Sequence, residues 1–196
     1  MKTFRALESV KTEQGNELSV IEKSIDDLPE GELLIKVNYS SLNYKDALSA
    51  SGAPGVTRNY PHTPGIDAVG SVTESLDKNF KEGDSVIVTG YDLGMNTSGG
   101  FGEYIRVPSS WAVNLPKDLS ERDSMSLGTA GLTAGLSIQA LDDFNSSMGF
   151  DNSNSIVTGS TGGVGSIAVM LLSKMGSSVT AVTGKDAQEG LLQGLG

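Results

Sequence analysis

Cysteine is absent from this chain of 196 residues, and histidine occurs once, as His62. Without cysteine the sequence offers no disulfide, no thiolate nucleophile and no thiolate ligand for zinc. A single imidazole beside scattered carboxylates is a poor metal site, so we expect no bound metal. We interpret His62 as a turn residue of the segment Tyr-Pro-His-Thr-Pro at positions 60–64.

Basic residues are also few: 14 lysines and arginines stand against 24 acidic residues, which gives a net charge of -10. Such a charge repels the phosphate backbone of nucleic acids and anionic membrane surfaces. The sequence shows no opening signal segment, and no apolar run approaches the roughly 18 residues of a membrane span. We therefore expect a cytoplasmic protein with no nucleic-acid or membrane partner.

The sequence pattern changes from β-prone to helical near residue 118. Before that point, short β-prone runs alternate with turn signals, which is typical of a β domain. The strand candidates are Leu33–Val37, Ala68–Val72, Ser85–Val88 and Tyr104–Val107. Beyond it the pattern becomes helical, beginning with Ser120-x-x-Asp123, which resembles a capping box. We predict an α/β protein with domains at 1–118 and 119–196.

The stretch TGSTGGVGS, residues 158–166, follows a short β-prone run and precedes an apolar pattern of helical period. A second run, Ser178–Thr183, follows that helix, so the glycines occupy the first turn of a predicted βαβ unit. Bare backbone at a helix N-terminus lets a pyrophosphate approach the free N–H groups. A P-loop is excluded because no Gly-Lys-Ser/Thr follows. The stretch also fits a short-chain dehydrogenase pattern, but the Tyr-x-x-x-Lys pair of those enzymes is missing.

The end of the second strand indicates which dinucleotide is bound. A site for NAD usually has an acidic residue there, which binds the ribose 2′-OH. Here the chain reads Thr183-Gly184-Lys185, two small neutral residues and a cation, which favours the 2′-phosphate of NADP(H). Asp186 is the acidic alternative, but we interpret it, together with Glu189, as a cap of the following helix.

Together these motifs resemble the zinc-free, quinone-oxidoreductase-like branch of the medium-chain dehydrogenase/reductases, and within it the acryloyl-CoA reductase subgroup most closely. The resemblance implies a GroES-like β domain followed by a Rossmann domain. In the zinc alcohol dehydrogenases of the same superfamily, a cysteine stands near Asn43 and a histidine at Ile66, so the metal ligands are missing here. The segments that carry the resemblance are 41–46, 64–70, 99–104, 128–134 and the glycine stretch.

Site residues follow from the resemblance by position. It places Tyr44 beside the nicotinamide, as the catalytic residue and a cofactor contact, although a half-buried tyrosine that holds Asp46 or a backbone carbonyl is an alternative. The expected pyrophosphate contacts are Thr161, Gly162, Gly163 and Val164, and the expected adenosine-phosphate contacts are Thr183, Gly184 and Lys185. Asn43 and Asp46 are expected to fix their loop through local side-chain to backbone bonds.

The activity that the resemblance implies is metal-free hydride transfer from NADPH to an activated double bond of a small-molecule substrate. The substrate would be an acryloyl-CoA-like 2-enoyl thioester or a quinone-like enone. The alternative is a truncated, non-enzymatic remnant that binds a nucleotide or a partner. The resemblance also implies a longer chain, so we expect an incomplete Rossmann domain whose two strands keep apolar faces and an unpaired edge. A homodimer is left open.

Overall fold

In the computed structural model, which describes residues 2–151 and 153–196, the chain forms two compact units. The first ends at Thr129 and the second begins at Ala130. The sequence predicted the change of domain at 118, and that domain assignment stays a prediction. Within the described residues, no helix is long and apolar enough to cross a membrane.

From residue 2 onward, the described part of the first unit contains seven strands and one short α-helix, followed by the start of a long helix. The elements are β1 Thr3–Thr12, β2 Gly15–Ser24, β3 Leu33–Tyr39, α1 Tyr44–Ser51, β4 Asp67–Ser75, β5 Ser85–Thr89, β6 Tyr104–Val107, β7 Ala112–Asn114 and α2 Glu121–Met148. β1 and β2 form an antiparallel hairpin, and the other strands form an antiparallel sheet in the order β6-β3-β4-β5-β7. All four strands predicted in this part of the sequence are confirmed.

The first three residues of β3, Leu33–Ile35, are buried on both faces of the sheet, which explains their continuous apolar sequence. Successive side chains of a strand point to opposite faces. Leu33 and Ile35 therefore lie in the main core, whereas Leu34 packs with Phe4 and Tyr104 in a second cluster. The main core consists of Leu33, Ile35, Ala68, Val72, Val86, Val88, Leu93, Ile105, Val107 and Ala112.

The second unit is a βαβ arrangement, as the sequence predicted. Its elements are β8 Asn154–Thr158, α3 Gly163–Lys174, β9 Ser178–Val182 and α4 Glu189–Leu195. β8 and β9 pair in parallel, with Thr158 opposite Val182. Val157 is buried, whereas its neighbour Ile156 is 73% exposed on the other face of the sheet.

The structure confirms the predicted role of Ser120 but not those of Asp186 and His62. The Ser120 hydroxyl accepts from the Asp123 N–H at 3.0 Å, which confirms that Ser120 caps α2. The predicted capping role of Asp186 is wrong. Asp186 is the first residue of a short helical turn whose N-cap is Lys185, and Lys185 makes no side-chain capping bond within the described residues. His62 is not simply a turn residue, because it is buried and forms a β-bridge with Ser9.

The main core makes a direct stability prediction. Ile105 is fully buried, so Ile105→Ala should lower the free energy of unfolding by about 2–5 kcal/mol, through lost burial and the cavity left behind. Val20 is 68% exposed and serves as the control, since Val20→Ala should change stability by less than about 0.5 kcal/mol. Urea unfolding measures both, and equal effects would contradict the assignment of the core.

Candidate functional site: a buried carboxylate network and a glycine-loop cavity

A buried carboxylate, Asp67, organises the polar centre of the first unit. It is fully buried at the start of β4. The Asn43 side-chain amide donates to Asp67 Oδ2 at 2.8 Å. From the other side, the Thr129 N–H donates to Oδ2 at 3.0 Å and the Thr129 hydroxyl donates to Oδ1 at 2.7 Å. Asp67 therefore joins the loop before α1 to the long helix α2.

The close approach of α2 to Asp67 depends on a kink at Gly128. This residue has φ 49° and ψ −151°, which interrupts the helical backbone. A Cβ atom there would lie 2.4 Å from Ser41 Oγ and 2.6 Å from Asp67 Oδ2. Since contacts that short are forbidden, the position requires glycine.

A second buried carboxylate, Asp46, lies in the first turn of α1. It accepts from the Asn43 N–H at 2.8 Å and from the Ile66 N–H at 2.9 Å. Burial raises the pKa of Asp46, with a smaller contribution from the charge of Asp67, while the hydrogen bonds from Asn43 and Ile66 act in the opposite direction. The local role expected for Asp46 is confirmed. Asn43 does more than expected, because its side chain reaches the distant Asp67 while its backbone binds Asp46.

Tyr44, the candidate catalytic residue, is the first residue of α1, and its side chain is 81% exposed. This exposure contradicts the alternative of a half-buried tyrosine that holds Asp46 or a backbone carbonyl. The capped N-terminus of α1 fixes the backbone of Tyr44 through the neighbouring Asn43 and Asp46. Its ring is thus presented from a rigid helix start, while its contact with a nicotinamide stays a prediction.

In the second unit, the glycine loop and the end of β9 line one cavity of about 580 Å³. Its lining brings together residues that the sequence predicted as two separate groups: Gly159, Thr161, Gly162, Val182, Thr183, Gly184 and Lys185. The Thr161 and Thr183 hydroxyls lie 3.4 Å apart, and the Lys185 N–H donates to the Thr183 hydroxyl at 3.1 Å. Thr161 and Gly162 of the first predicted group and all three residues of the second therefore border the same space, whereas Gly163 and Val164 do not line it.

Ser160 anchors the glycine loop to the end of β9. It is fully buried, and its backbone N–H and hydroxyl donate to the Val182 carbonyl at 3.2 and 3.0 Å. The loop is also closed by the Gly162 N–H, which donates to Gly159 O at 2.9 Å. A Cβ atom on Gly165 would lie 2.3 Å from Gly159 O, so only glycine lets α3 start this close to the loop.

The N-terminus of α3 keeps backbone donors available for an anion. Gly162 is the N-cap, and the Ser166 N–H makes the first bond of the helix, to Gly162 O. The N–H groups of Gly163, Val164 and Gly165 therefore have no partner within the helix, which is the usual state of a helix start. Because the Gly162 N–H is used within the loop, Gly163 and Val164 are the better donors of the predicted set.

A second cleft of about 580 Å³ also borders the end of β9 and shares Thr183 and Lys185 with the glycine-loop cavity. Its other walls come from α3 and α4 and include the apolar side chains of Val169 and Leu192 and two carboxylates, Asp186 and Glu189. No residue of the glycine loop lines it, and its carboxylates repel a phosphate. The glycine-loop cavity is therefore the better phosphate site.

No pattern in the sequence indicates that Asp67, Thr129 and Ser41 form a group. A signal existed for Asp67, because an acidic residue inside the apolar run Ile66–Val69 is rarely buried without partners. The Ser41 hydroxyl donates to the Met125 carbonyl at 2.6 Å, a contact that no local pattern indicates. Among the residues that the structure describes, no three His, Asp or Glu side chains are arranged to hold a metal ion.

The Asp67 network predicts a large loss of stability when the carboxylate is removed. Asp67→Ala removes an acceptor that three partly buried donors of Asn43 and Thr129 share, so the free energy of unfolding should fall by at least about 2 kcal/mol. Asp67→Asn should cost less, because a flipped Asn43 amide can still pair with it. The exposed Asp118→Ala is the control, expected within about 0.5 kcal/mol of wild type. Urea unfolding of Asp67→Ala that matches this control would contradict the network.

The sequence and structure of the chain are similar to those of several known oxidoreductases. Residues 29–117 match the alcohol dehydrogenase GroES-like domain. The chain is 44% identical to the putative quinone oxidoreductase YhfP of Bacillus subtilis over 98% of its length, and 41% identical to the acrylyl-CoA reductase AcuI of Ruegeria pomeroyi over 98%. It spans 58% of the length of each of these relatives.

Solved structures agree with these relatives. The yhdH oxidoreductase of Salmonella enterica, in complex with NADP, superposes with a TM-score of 0.93 at 42% identity, over 98% of this chain and 59% of that chain. The B. subtilis YhfP protein with NAD bound superposes with a TM-score of 0.93 at 43% identity, over 100% of this chain and 59% of that chain. The expected fold class, a GroES-like β domain followed by Rossmann-type α/β structure, is confirmed. The chain belongs to the quinone-oxidoreductase-like medium-chain dehydrogenase/reductase family, in the group that includes the acrylyl-CoA reductases.

Proposed function

We propose that this chain binds NADP(H) in the glycine-loop cavity and serves the NADPH-dependent reduction of an activated double bond. The observation that carries the proposal is the single cavity shared by Thr161, Gly162 and the Thr183–Lys185 segment. The named activities of YhfP and AcuI, and the NADP in the YhdH complex, support it.

The cavity residues and the adjoining start of α3 fit a dinucleotide. The backbone donors of Gly163 and Val164 and the dipole of α3 favour the negative pyrophosphate, and the glycines keep side chains out of its path. Thr161 and Thr183 add hydroxyl donors at the cavity wall. Lys185 is exposed at its rim and would pair with the 2′-phosphate of NADP(H).

The NAD in the YhfP structure shows that a protein of this fold also accepts the cofactor without a 2′-phosphate. Preference in this chain therefore depends on the side chains at the end of β9. Thr183 and Gly184 provide no carboxylate for a ribose 2′-OH, and Asp186 is an exposed residue of the following turn. We therefore expect Lys185 to make the affinity for NADP(H) higher than that for NAD(H).

NADPH, when bound, supplies the hydride that reduces the β-carbon of a 2-enoyl thioester or a quinone-like enone. The remaining task is to stabilise the negative charge that develops on the substrate's carbonyl oxygen and to deliver a proton. Tyr44 is the candidate for this task, because its phenol is a donor held at the start of α1. Asn43 and Asp46 position Tyr44 through the capped helix start and need not touch the substrate. No metal takes part in this mechanism.

The cofactor assignment predicts a selective effect of Lys185. Lys185→Ala should weaken NADPH binding about 10- to 100-fold by removing a charge-assisted hydrogen bond, and should leave NADH binding nearly unchanged. Isothermal titration calorimetry at fixed ionic strength measures both nucleotides. Lys174→Ala, which removes an exposed cation from the end of α3, is the matched control. Equal affinity of the wild-type protein for the two nucleotides would refute the preference.

The catalytic assignment predicts that Tyr44→Phe lowers kcat about 100-fold or more, with a smaller change in KM, because the phenol acts mainly in the transition state. NADPH oxidation is followed with acryloyl-CoA and with a quinone, in the presence of a chelator that should leave the rate unchanged. Tyr91→Phe removes a different exposed phenol and should have no effect. Tight NADPH binding without turnover of either substrate would favour a nucleotide-binding module over a reductase.

A further inference from the structure

His62, the single histidine, is buried in a polar region behind α1. It is only 4% exposed. Its backbone pairs with Ser9 of β1 in both directions, with N–H to O distances of 2.8 and 2.9 Å. The Tyr60 ring meets the imidazole edge to face, with the ring centres 6.4 Å apart and an interplanar angle of 89°.

One nitrogen of the imidazole, Nε2, is buried. It has no hydrogen-bond partner among the described residues, while the backbone of Gly94 lies near the ring and favours its protonated form. The hydroxyl of the neighbouring Thr63 is also buried, and it too has no hydrogen-bond partner among the residues that the structure describes. A neutral imidazole tolerates an apolar surrounding at Nε2, whereas a protonated one would bury a charged N–H without an acceptor.

The charged groups that face His62 offer little compensation for a positive charge. They are Glu8 on β1, Lys23 on β2 and Asp92 after β5. Glu8 and Lys23 form a partly buried ion pair at 3.1 Å, and Asp92 accepts from the side chains of Asn96 and Thr97 at 3.0 and 3.2 Å. Burial lowers the pKa of His62 most and Lys23 lowers it further, while the Gly94 bond, Asp92 and Glu8 oppose them with less effect.

The groups that surround His62 also hold the C-terminal end of α1. The Ser9 hydroxyl donates to the Ala50 carbonyl at 2.7 Å, and the Tyr60 hydroxyl donates to the Ser49 carbonyl at 2.6 Å. The Ser49 hydroxyl in turn reaches the Gly94 carbonyl at 3.3 Å. Ser9, Tyr60 and Gly94 therefore contact both the histidine and the last turn of this helix.

We propose that His62 is a pH-sensitive latch on the C-terminal end of α1. The neutral imidazole keeps Ser9, Tyr60 and Gly94 in their bonds to the helix, and protonation in mildly acidic solution releases them. The helix that is loosened is the one that begins with Tyr44. The latch is a property of the first unit alone and does not depend on the proposed reductase activity.

The sign of the pH dependence follows from linkage. The ordinary pKa of histidine is about 6.5. Above that pH the imidazole is neutral in both the folded and the unfolded chain, so His62 does not lower the free energy of unfolding. Below that pH the imidazole is protonated in the unfolded chain but stays neutral in the folded chain, because the pKa of folded His62 is lowered. The ratio of folded to unfolded protein should then fall about tenfold per pH unit until the folded pKa is reached.

Because the chain has one histidine, its titration is read directly by NMR of the protein labelled with ¹³C- and ¹⁵N-histidine. We expect a single set of ring signals whose midpoint lies below 6.5, accompanied by lower protection factors against amide exchange at Gly52 and Ala53. These amides donate to Ser49 and Leu48 at the end of α1. Protection factors are compared, since the intrinsic exchange rate itself slows as the pH falls. A midpoint at or above 6.5, or protonation without a drop in these protection factors, would overturn the latch.

His62→Asn is the matched variant, because its amide can still donate to Gly94 but cannot be protonated. Urea unfolding of both proteins between about pH 7.5 and 5 should show the tenfold loss per pH unit in wild type relative to the variant. Other titrating groups, including Asp46, are common to both proteins and cancel in the comparison. Parallel pH profiles would overturn the proposal. If the variant fails to fold, the titration and exchange of the wild-type protein decide the question alone.

Discussion

One buried carboxylate holds the first unit's polar centre together. Asp67 has no contact with solvent, so its charge must be satisfied by protein donors, and these come from Asn43 on one side and Thr129 on the other. The start of α1, the first residues of β4 and the kink of α2 are thereby fixed relative to one another within that unit. The rigid presentation of Tyr44 and the glycine requirement at position 128 both follow from this constraint.

The second unit has a comparable constraint in its glycine loop. Ser160 fastens the loop to Val182, and Gly165 allows α3 to begin against Gly159. The glycine loop before α3 and the end of β9 are thus brought to one cavity, which is the proposed site of a phosphate-rich ligand. Each unit so supplies a different part of the proposed chemistry: a positioned phenol in the first and a dinucleotide cavity in the second.

Local patterns predicted the strongly apolar elements well. β3, β4, β5, β6, β8, β9 and α3 lie where apolar runs or a helical period placed them, because burial of those side chains drives their formation. The β1–β2 hairpin escaped prediction, since most of β2 is exposed and carries few apolar residues. Helix α1 escaped as well: it has eight residues and is held by contacts from Ser9, Tyr60 and Ile66, which are distant in sequence.

The sequence by itself determined the βαβ unit, the glycine turn and the neutral-then-cationic end of β9, because each depends on residues that are neighbours along the chain. It also determined that these 196 residues offer no thiolate. Only the tertiary structure decided that Asn43 binds Asp67, that α2 must kink at Gly128, and that His62 is buried with one nitrogen unpaired. These features arise from the packing of segments far apart in sequence, and burial there sets the cost of each charge, which no local pattern encodes.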